Sequence, residues 1–226
     1  MTRIRVKICG ITSPGDAALA ANAGADYLGM IFFPPSPRSI PPDQAPEVLA
    51  AIPDGVARVA LTVNPDDALI DALVPLGFDW LQLHGAEPPE RVAELRERTD
   101  LSVMKAVGVR EAADLAAIEW YAPVADQLLI DAKPPKGAEV PGGHGVAFDW
   151  TLIAGRTWPV AWMLAGGLTP ENVAQAITLT GAEQVDVASG TESSPGIKDA
   201  QKVRAFVQAA KAEESGTVSF TGLSRA

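Results

Sequence analysis

One cysteine, Cys9, and two histidines, His84 and His144, are all that 226 residues contain of those types. An internal disulfide framework is excluded, and no Cys/His cluster at metal-ligand spacing exists. No apolar run approaches the ~18 to 20 residues that a membrane span needs. The opening MTRIRVKICG has basic residues but no long apolar region followed by a small-residue cleavage site, so it does not read as a secretory signal. Basic residues are also in short supply, 18 against 28 acidic ones for a net charge of −10, and they are scattered singly or in pairs. A broad basic face for nucleic acid is therefore not expected. An anionic ligand would need a local electropositive pocket within a repulsive overall field. The expectation is a cytoplasmic protein that binds neither membrane nor nucleic acid.

Hydrophobic residues at 47% and charged residues at 20% give a globular composition. Short apolar runs at 3–8, 27–32, 57–63, 80–83, 102–106, 127–130, 160–165 and 184–188 read as strands, each followed by Gly, Pro, Asn or Ser punctuation. Between them lie helical stretches at 16–23, 43–51, 67–76, 90–98, 111–121, 170–179 and 199–212, with a weak sixth one at 148–153. Ser13-Pro14, Pro65-Asp66 and Thr169-Pro170-Glu171 supply start signals. Eight β-α units without a linker predict a single-domain α/β fold, a closed (β/α)₈ TIM barrel over residues 1–211. The loops must be spare, apart from the Lys/Pro/Gly-rich stretch 132–147. Residues 212–226 read as a polar, solvated tail.

A barrel of this kind keeps its chemistry at the C-terminal strand ends. Cys9 closes the first strand. A lone cysteine can be a small buried hydrophobe, but Lys7 lies two residues back on the same face, and a nearby cation lowers a thiol pKa toward nucleophile or base chemistry. Asp131 ends the sixth strand, either capping the next loop or facing the mouth as an acid or base. Thiol and carboxyl on roughly opposite strands would make an acid/base pair able to move protons at both ends of a small substrate. Gly166-Gly167 after the seventh strand and Ser189-Gly190 after the eighth are suited to cradling a phosphate with bare backbone N–H groups. Arg38, in the proline-stiffened Phe33-Pro34-Pro35-Ser36-Pro37-Arg38, is either a solvated surface arginine or a bidentate carboxylate anchor. His84 is either a pocket wall or a satisfied structural histidine, with the structural role favoured.

Together, Lys7-Ile8-Cys9-Gly10-Ile11-Thr12, Ser36-Pro37-Arg38, Leu81-Gln82-Leu83-His84-Gly85, Leu129-Ile130-Asp131, Phe148-Asp149-Trp150, Leu164-Ala165-Gly166-Gly167-Leu168 and Asp186-Val187-Ala188-Ser189-Gly190-Thr191-Glu192 resemble the phosphoribosylanthranilate isomerase family, in that family's order. The resemblance spans roughly residues 3–208. It implies a cofactor-free Amadori rearrangement of N-(5-phosphoribosyl)anthranilate to 1-(2-carboxyphenylamino)-1-deoxyribulose 5-phosphate, a step of tryptophan biosynthesis, in a monomer or homodimer. It further implies Asp131 as general acid, Cys9 as general base, Arg38 on the anthranilate carboxylate, His84 in the substrate site, and Gly166, Gly167, Ser189 and Gly190 on the phosphate. The chain departs from the family pattern at Gly142-Gly143-His144-Gly145, where a Gly-Gly-Thr-Gly run is expected, and at Thr62 and Ala188.

Two rivals differ in identifiable residues. An isomerase acting on the corresponding histidine-pathway intermediate typically uses paired aspartates, whereas here the first strand ends in Cys9. A non-catalytic phosphosugar-binding barrel would keep the glycine loops and lose Cys9 or Asp131. Strand alternation also makes a packing prediction. With Cys9 facing inward, Lys7 faces inward too, and the same parity turns Lys105 and Asp186 inward, where at least one lysine must meet a carboxylate.

Overall fold

The computed structural model describes residues 3–133, 145 and 147–213. Eight parallel strands close a barrel in sequence order: β1 (Arg5–Cys9), β2 (Tyr27–Phe32), β3 (Ala57–Thr62), β4 (Trp80–Leu83), β5 (Ser102–Val109), β6 (Gln127–Ala132), β7 (Ala161–Leu164) and β8 (Gln184–Val187). Around them run α1 (Pro14–Ala23), α2 (Ala45–Leu49), α3 (Asp67–Leu73), α4 (Pro89–Arg98), α5 (Ala117–Tyr121), α6 (Val173–Thr180) and α7 (Ala200–Ala212). A two-stranded hairpin, β9 (Glu192–Ser194) with β10 (Ile197–Lys198), follows β8 and was not anticipated from the sequence. Among the described residues no helix is long and apolar enough to cross a membrane.

Local chemistry accounts for the helix starts. Ser13 Oγ accepts the Asp16 N–H at 3.1 Å ahead of Pro14, and Asp66 and Asp199 cap α3 and α7 in the same way. Gly24 and Gly181 end α1 and α6 in left-handed conformations that a side chain would strain. The Thr169-Pro170-Glu171 signal behaves differently. Its hydroxyl and the Asn172 carboxamide satisfy backbone N–H groups in a turn, so α6 begins only at Val173. The weak helix expected at 148–153 is only a 3₁₀ turn, Trp150–Leu152, with Asp149 accepting from Thr151. The helix α7 runs to Ala212, and the expected tail from 214 on lies outside the described residues, as do Gly142, Gly143 and His144.

Strand register fixes which side chains enter the barrel. Lys7 pairs with Tyr27 and Asp186, Cys9 with Gly29, Gln82 with Met104, and Gly108 with Asp131. Neighbours in a parallel ladder share a face, so all of these point inward. The inward set packs Tyr27, Val59, Met104, Leu129, Met163 and Ala165 into one cluster at the barrel centre. A much larger layer, with Val6, Ile8, Val103 and Val107 among its members, lies between strands and helices.

Here one expectation fails. Lys105 lies on the face of Val103 and Val107, outside the barrel, because the inward positions of β5 are Ser102, Met104, Ala106 and Gly108. The strand also continues to Val109 rather than ending at Ala106. Lys105 is nonetheless buried and paired, its Nζ 2.9 Å from Glu87 Oε2 and 2.8 Å from the Gly85 carbonyl. The inward expectation holds for Lys7 and Asp186, whose Nζ and Oδ1 are 2.9 Å apart.

Candidate active site

At the C-terminal mouth, β1 delivers Cys9, 2% exposed, against Ile31, Leu61 and Ala188. Gly29 makes room for it. A Cβ at that position would lie 2.9 Å from the thiol sulfur and 3.3 Å from Lys7 Nζ. Lys7 donates to Asp186 and lies beside the thiol; burial alone would pull its pKa down, yet Asp186 and Cys9 more than offset this and hold it above the ordinary lysine value. The thiol itself behaves otherwise than its neighbouring cation suggested. Burial pushes Cys9 up from its usual value, outweighing the pull of Lys7 and Lys198 toward thiolate. At neutral pH the sulfur is therefore held as a thiol.

β6 brings Asp131 to the mouth, and β4 extends into His84. The two meet: His84 Nε2 lies 3.2 Å from Asp131 Oδ2. The other carboxylate oxygen, Oδ1, accepts the Ala132 N–H at 2.7 Å. Gln82, one pleat below on β4, sets its Nε2 2.9 Å from His84 Nδ1. His84 is thus a partner of the carboxyl at the mouth and not merely a packed wall. Its loop is tied down by the buried Glu87, which accepts from the N–H groups of Asn64 and Gly85. Asn64 holds a left-handed φ of 46° and accepts the Ala86 N–H, knotting the loops after β3 and β4 together.

Arg38 is not a solvated arginine. It is buried, and its Nε and Nη2 donate to Glu192 Oε1 and Oε2 at 2.7 and 2.8 Å. Its Cδ runs so close to Gly10 that a Cβ there would meet it at 2.8 Å. The Glu192 hydrogen bonds hold the guanidinium above its already high value. For Glu192 burial pushes upward, but Arg38 and Lys198 together overcome it and hold the carboxyl below its usual range. Lys198 Nζ also donates to the Ala188 carbonyl at 3.0 Å, so β10 braces the turn that follows β8.

The glycine loops adjoin one another. Gly166 and Gly167 take left-handed φ values of 85° and 64°. A Cβ on Gly190 would collide with the Leu168 carbonyl, so the loops after β7 and β8 touch. Ser189 and Gly190 form a 3₁₀ turn there, Ser189–Thr191. Neighbouring backbone turns of this kind suit a phosphate. Of the eight residues expected at the site, all lie at this end of the barrel. Sequence reasoning missed Gly29, Gln82, Glu87, Glu192 and Lys198 as site components. Gly29 had a readable signal, since a glycine inside a strand pattern marks a close approach.

The profile of the N-(5'-phosphoribosyl)anthranilate (PRA) isomerase family matches residues 6–209. The N-(5'-phosphoribosyl)anthranilate isomerase of Paracoccus denitrificans is 58% identical over 210 residues, covering 92% of this chain and 98% of that protein. The crystal structure of the Thermotoga maritima enzyme superposes with a TM-score of 0.83 at 38% identity, covering 92% and 99% of the two chains; that protein is described as dimeric. A third structure, at 36% identity and a TM-score of 0.80 over 92% and 99% of the chains, holds reduced 1-(o-carboxyphenylamino)-1-deoxyribulose 5-phosphate. The barrel and the family profile converge on one assignment: this chain belongs to the phosphoribosylanthranilate isomerase family, the aldose–ketose isomerases of tryptophan biosynthesis.

Proposed function

We propose that the chain carries out the Amadori rearrangement with Asp131 as acid and Cys9 as base. Asp131 gives its proton to the furanose ring oxygen of N-(5-phosphoribosyl)anthranilate as the bond from C1 to that oxygen breaks, leaving a protonated Schiff base. The Cys9 thiolate takes the C2 proton, and the electron pair moves to neutralise the nitrogen, giving the enolamine. Loss of the C2 hydroxyl proton and protonation at C1 complete the ketone, 1-(2-carboxyphenylamino)-1-deoxyribulose 5-phosphate. Because burial favours the thiol, this reading needs proton loss from Cys9 before C2 is attacked, with Lys7 and Lys198 supporting the thiolate.

The observation that carries the reading is the pairing of a carboxyl and a thiol on inward faces of β6 and β1, at the same end of the barrel. Arg38 takes the anthranilate carboxylate with the edge that Glu192 leaves free, and His84 lines the substrate site beside the acid. Gly166, Gly167, Ser189 and Gly190 hold the phosphate through backbone N–H groups, which need no net positive charge.

Cys9→Ala and Asp131→Asn test the assignment. Each is expected to lower kcat by about 10²- to 10⁴-fold with substrate binding and fold retained. Turnover near that of the unaltered enzyme in either variant removes that residue from the mechanism.

A further inference from the structure

We infer that Gln82 is a positioning residue for the acid: its amide fixes the tautomer of His84, and His84 in turn holds the Asp131 carboxylate. The inference rests on Asp131 being the acid.

Gln82 is completely buried. A primary amide inside a barrel is costly unless its polar ends are used, and here its Oε1 has no hydrogen-bond partner among the described residues. The polar contact its amide nitrogen makes is with His84 Nδ1, at 2.9 Å. An amide N–H can only donate, so Nδ1 accepts and the imidazole proton sits on Nε2. From there it lies on the side of Asp131, whose Oδ2 is 3.2 Å from Nε2. The opposite tautomer would set N–H against N–H at Gln82 and a lone pair against the carboxylate. Both contacts disfavour it with the amide oriented as it is.

The consequence falls on Asp131. With the Ala132 N–H on Oδ1 and the His84 imidazole packed 3.2 Å from Oδ2, the carboxyl is held from both sides at the mouth. Held from both sides, the carboxyl presents its proton to the substrate in one orientation. Without Gln82 the imidazole can turn or change tautomer, and the acid loses its orientation while the carboxylate and phosphate subsites stay intact. The loss is therefore one of kcat and not of KM.

Histidine ¹⁵N NMR reads the tautomer directly, and a His144→Gln background leaves His84 as the sole signal. The unaltered Gln82 protein is expected to show the Nε2–H form. Gln82→Glu, which presents an acceptor to Nδ1, should convert His84 to the Nδ1–H form or the imidazolium. Gln82→Met, of similar shape but without a donor, should give a mixture. Both are expected to lose about tenfold or more in kcat with KM within about threefold. An Nδ1–H form in the Gln82 protein overturns the inference even if neither variant folds. So does a changed tautomer with unchanged kcat, or a reduced kcat with an unchanged tautomer. Asp131→Asn separates the two levels. If that variant is active, the acid assignment itself fails; if it is inactive while the Gln82 variants turn over normally, only the role of Gln82 fails.

Discussion

Lys7 and Asp186 stand in direct register on β1 and β8, Nζ 2.9 Å from Oδ1, two residues below Cys9 on the same inward face. With Lys198, the pair sets the charges that act on the thiol. Lys7→Met would remove a group that favours the thiolate and leave Asp186, which disfavours it. If Cys9 is the base, activity rises with pH as the thiol ionises, so the ascending limb of kcat against pH should move to higher pH in this variant. A pH–rate profile decides it, and an unmoved limb would mean that Lys7 does not govern the base.

The space left by Gly29 is the next test. Gly29→Ala would put a methyl group 2.9 Å from the Cys9 sulfur, closer than a Cβ tolerates. The thiol must shift, and a displacement of this size can cost about 10²-fold in rate. The expected variant is folded, binds inorganic phosphate normally and turns over slowly. Steady-state rates beside phosphate inhibition check this; normal turnover would show that the thiol position is not critical.

The Arg38–Glu192 pair should appear in the stability of the protein toward acid. Glu192 is held below its usual carboxylate value of 4.5 in the folded chain. A depressed carboxyl contributes stability that is present above the unfolded pKa and is lost as the pH falls through the folded one. Unfolding midpoints measured from pH 6 downward should therefore drop steeply below about pH 4.5, and Glu192→Gln should flatten that drop. Parallel curves for the two proteins would contradict it.

Arg38→Met separates the two ends of the substrate. Loss of a charge-assisted hydrogen bond of about 1.5–3 kcal/mol corresponds to a rise in KM on the order of 10- to 100-fold. If inorganic phosphate binds at the glycine loops, its inhibition constant should change much less. If both rise equally, Arg38 belongs to the phosphate site.

Much of this site could be read from strand order and strand ends. Cys9, Asp131 and the two glycine loops were identified because a closed barrel places function at the C-terminal edge, and the start signals at Ser13 and Asp66 mark real caps. Lys105 was misplaced for a physical reason. Strands buried on both faces lack hydrophobic alternation, so nothing local in Ser102–Val109 states which face is inward. The upward shift of the Cys9 thiol was equally hidden, since the sequence shows the adjacent lysine but not how completely the sulfur is buried. Glu192 was quoted as part of a motif, yet its partnership with Arg38 exists only through the hairpin β9–β10, which carries no hydrophobic pattern of its own.

The mouth is stitched together by contacts between the two ends of the chain. Arg38 and Glu192 are 154 positions apart, and Lys7 and Asp186 are 179 apart. Such separations give a high contact order, which slows folding because the closure entropy comes before any reward. They also set a condition during synthesis. A nascent chain can emerge with seven strands formed and still hold Lys7 and Arg38 as unpaired cations beside an open seam between β1 and β7. The Lys7–Asp186 and Arg38–Glu192 pairs can therefore form only after β8 and the hairpin behind it have been made.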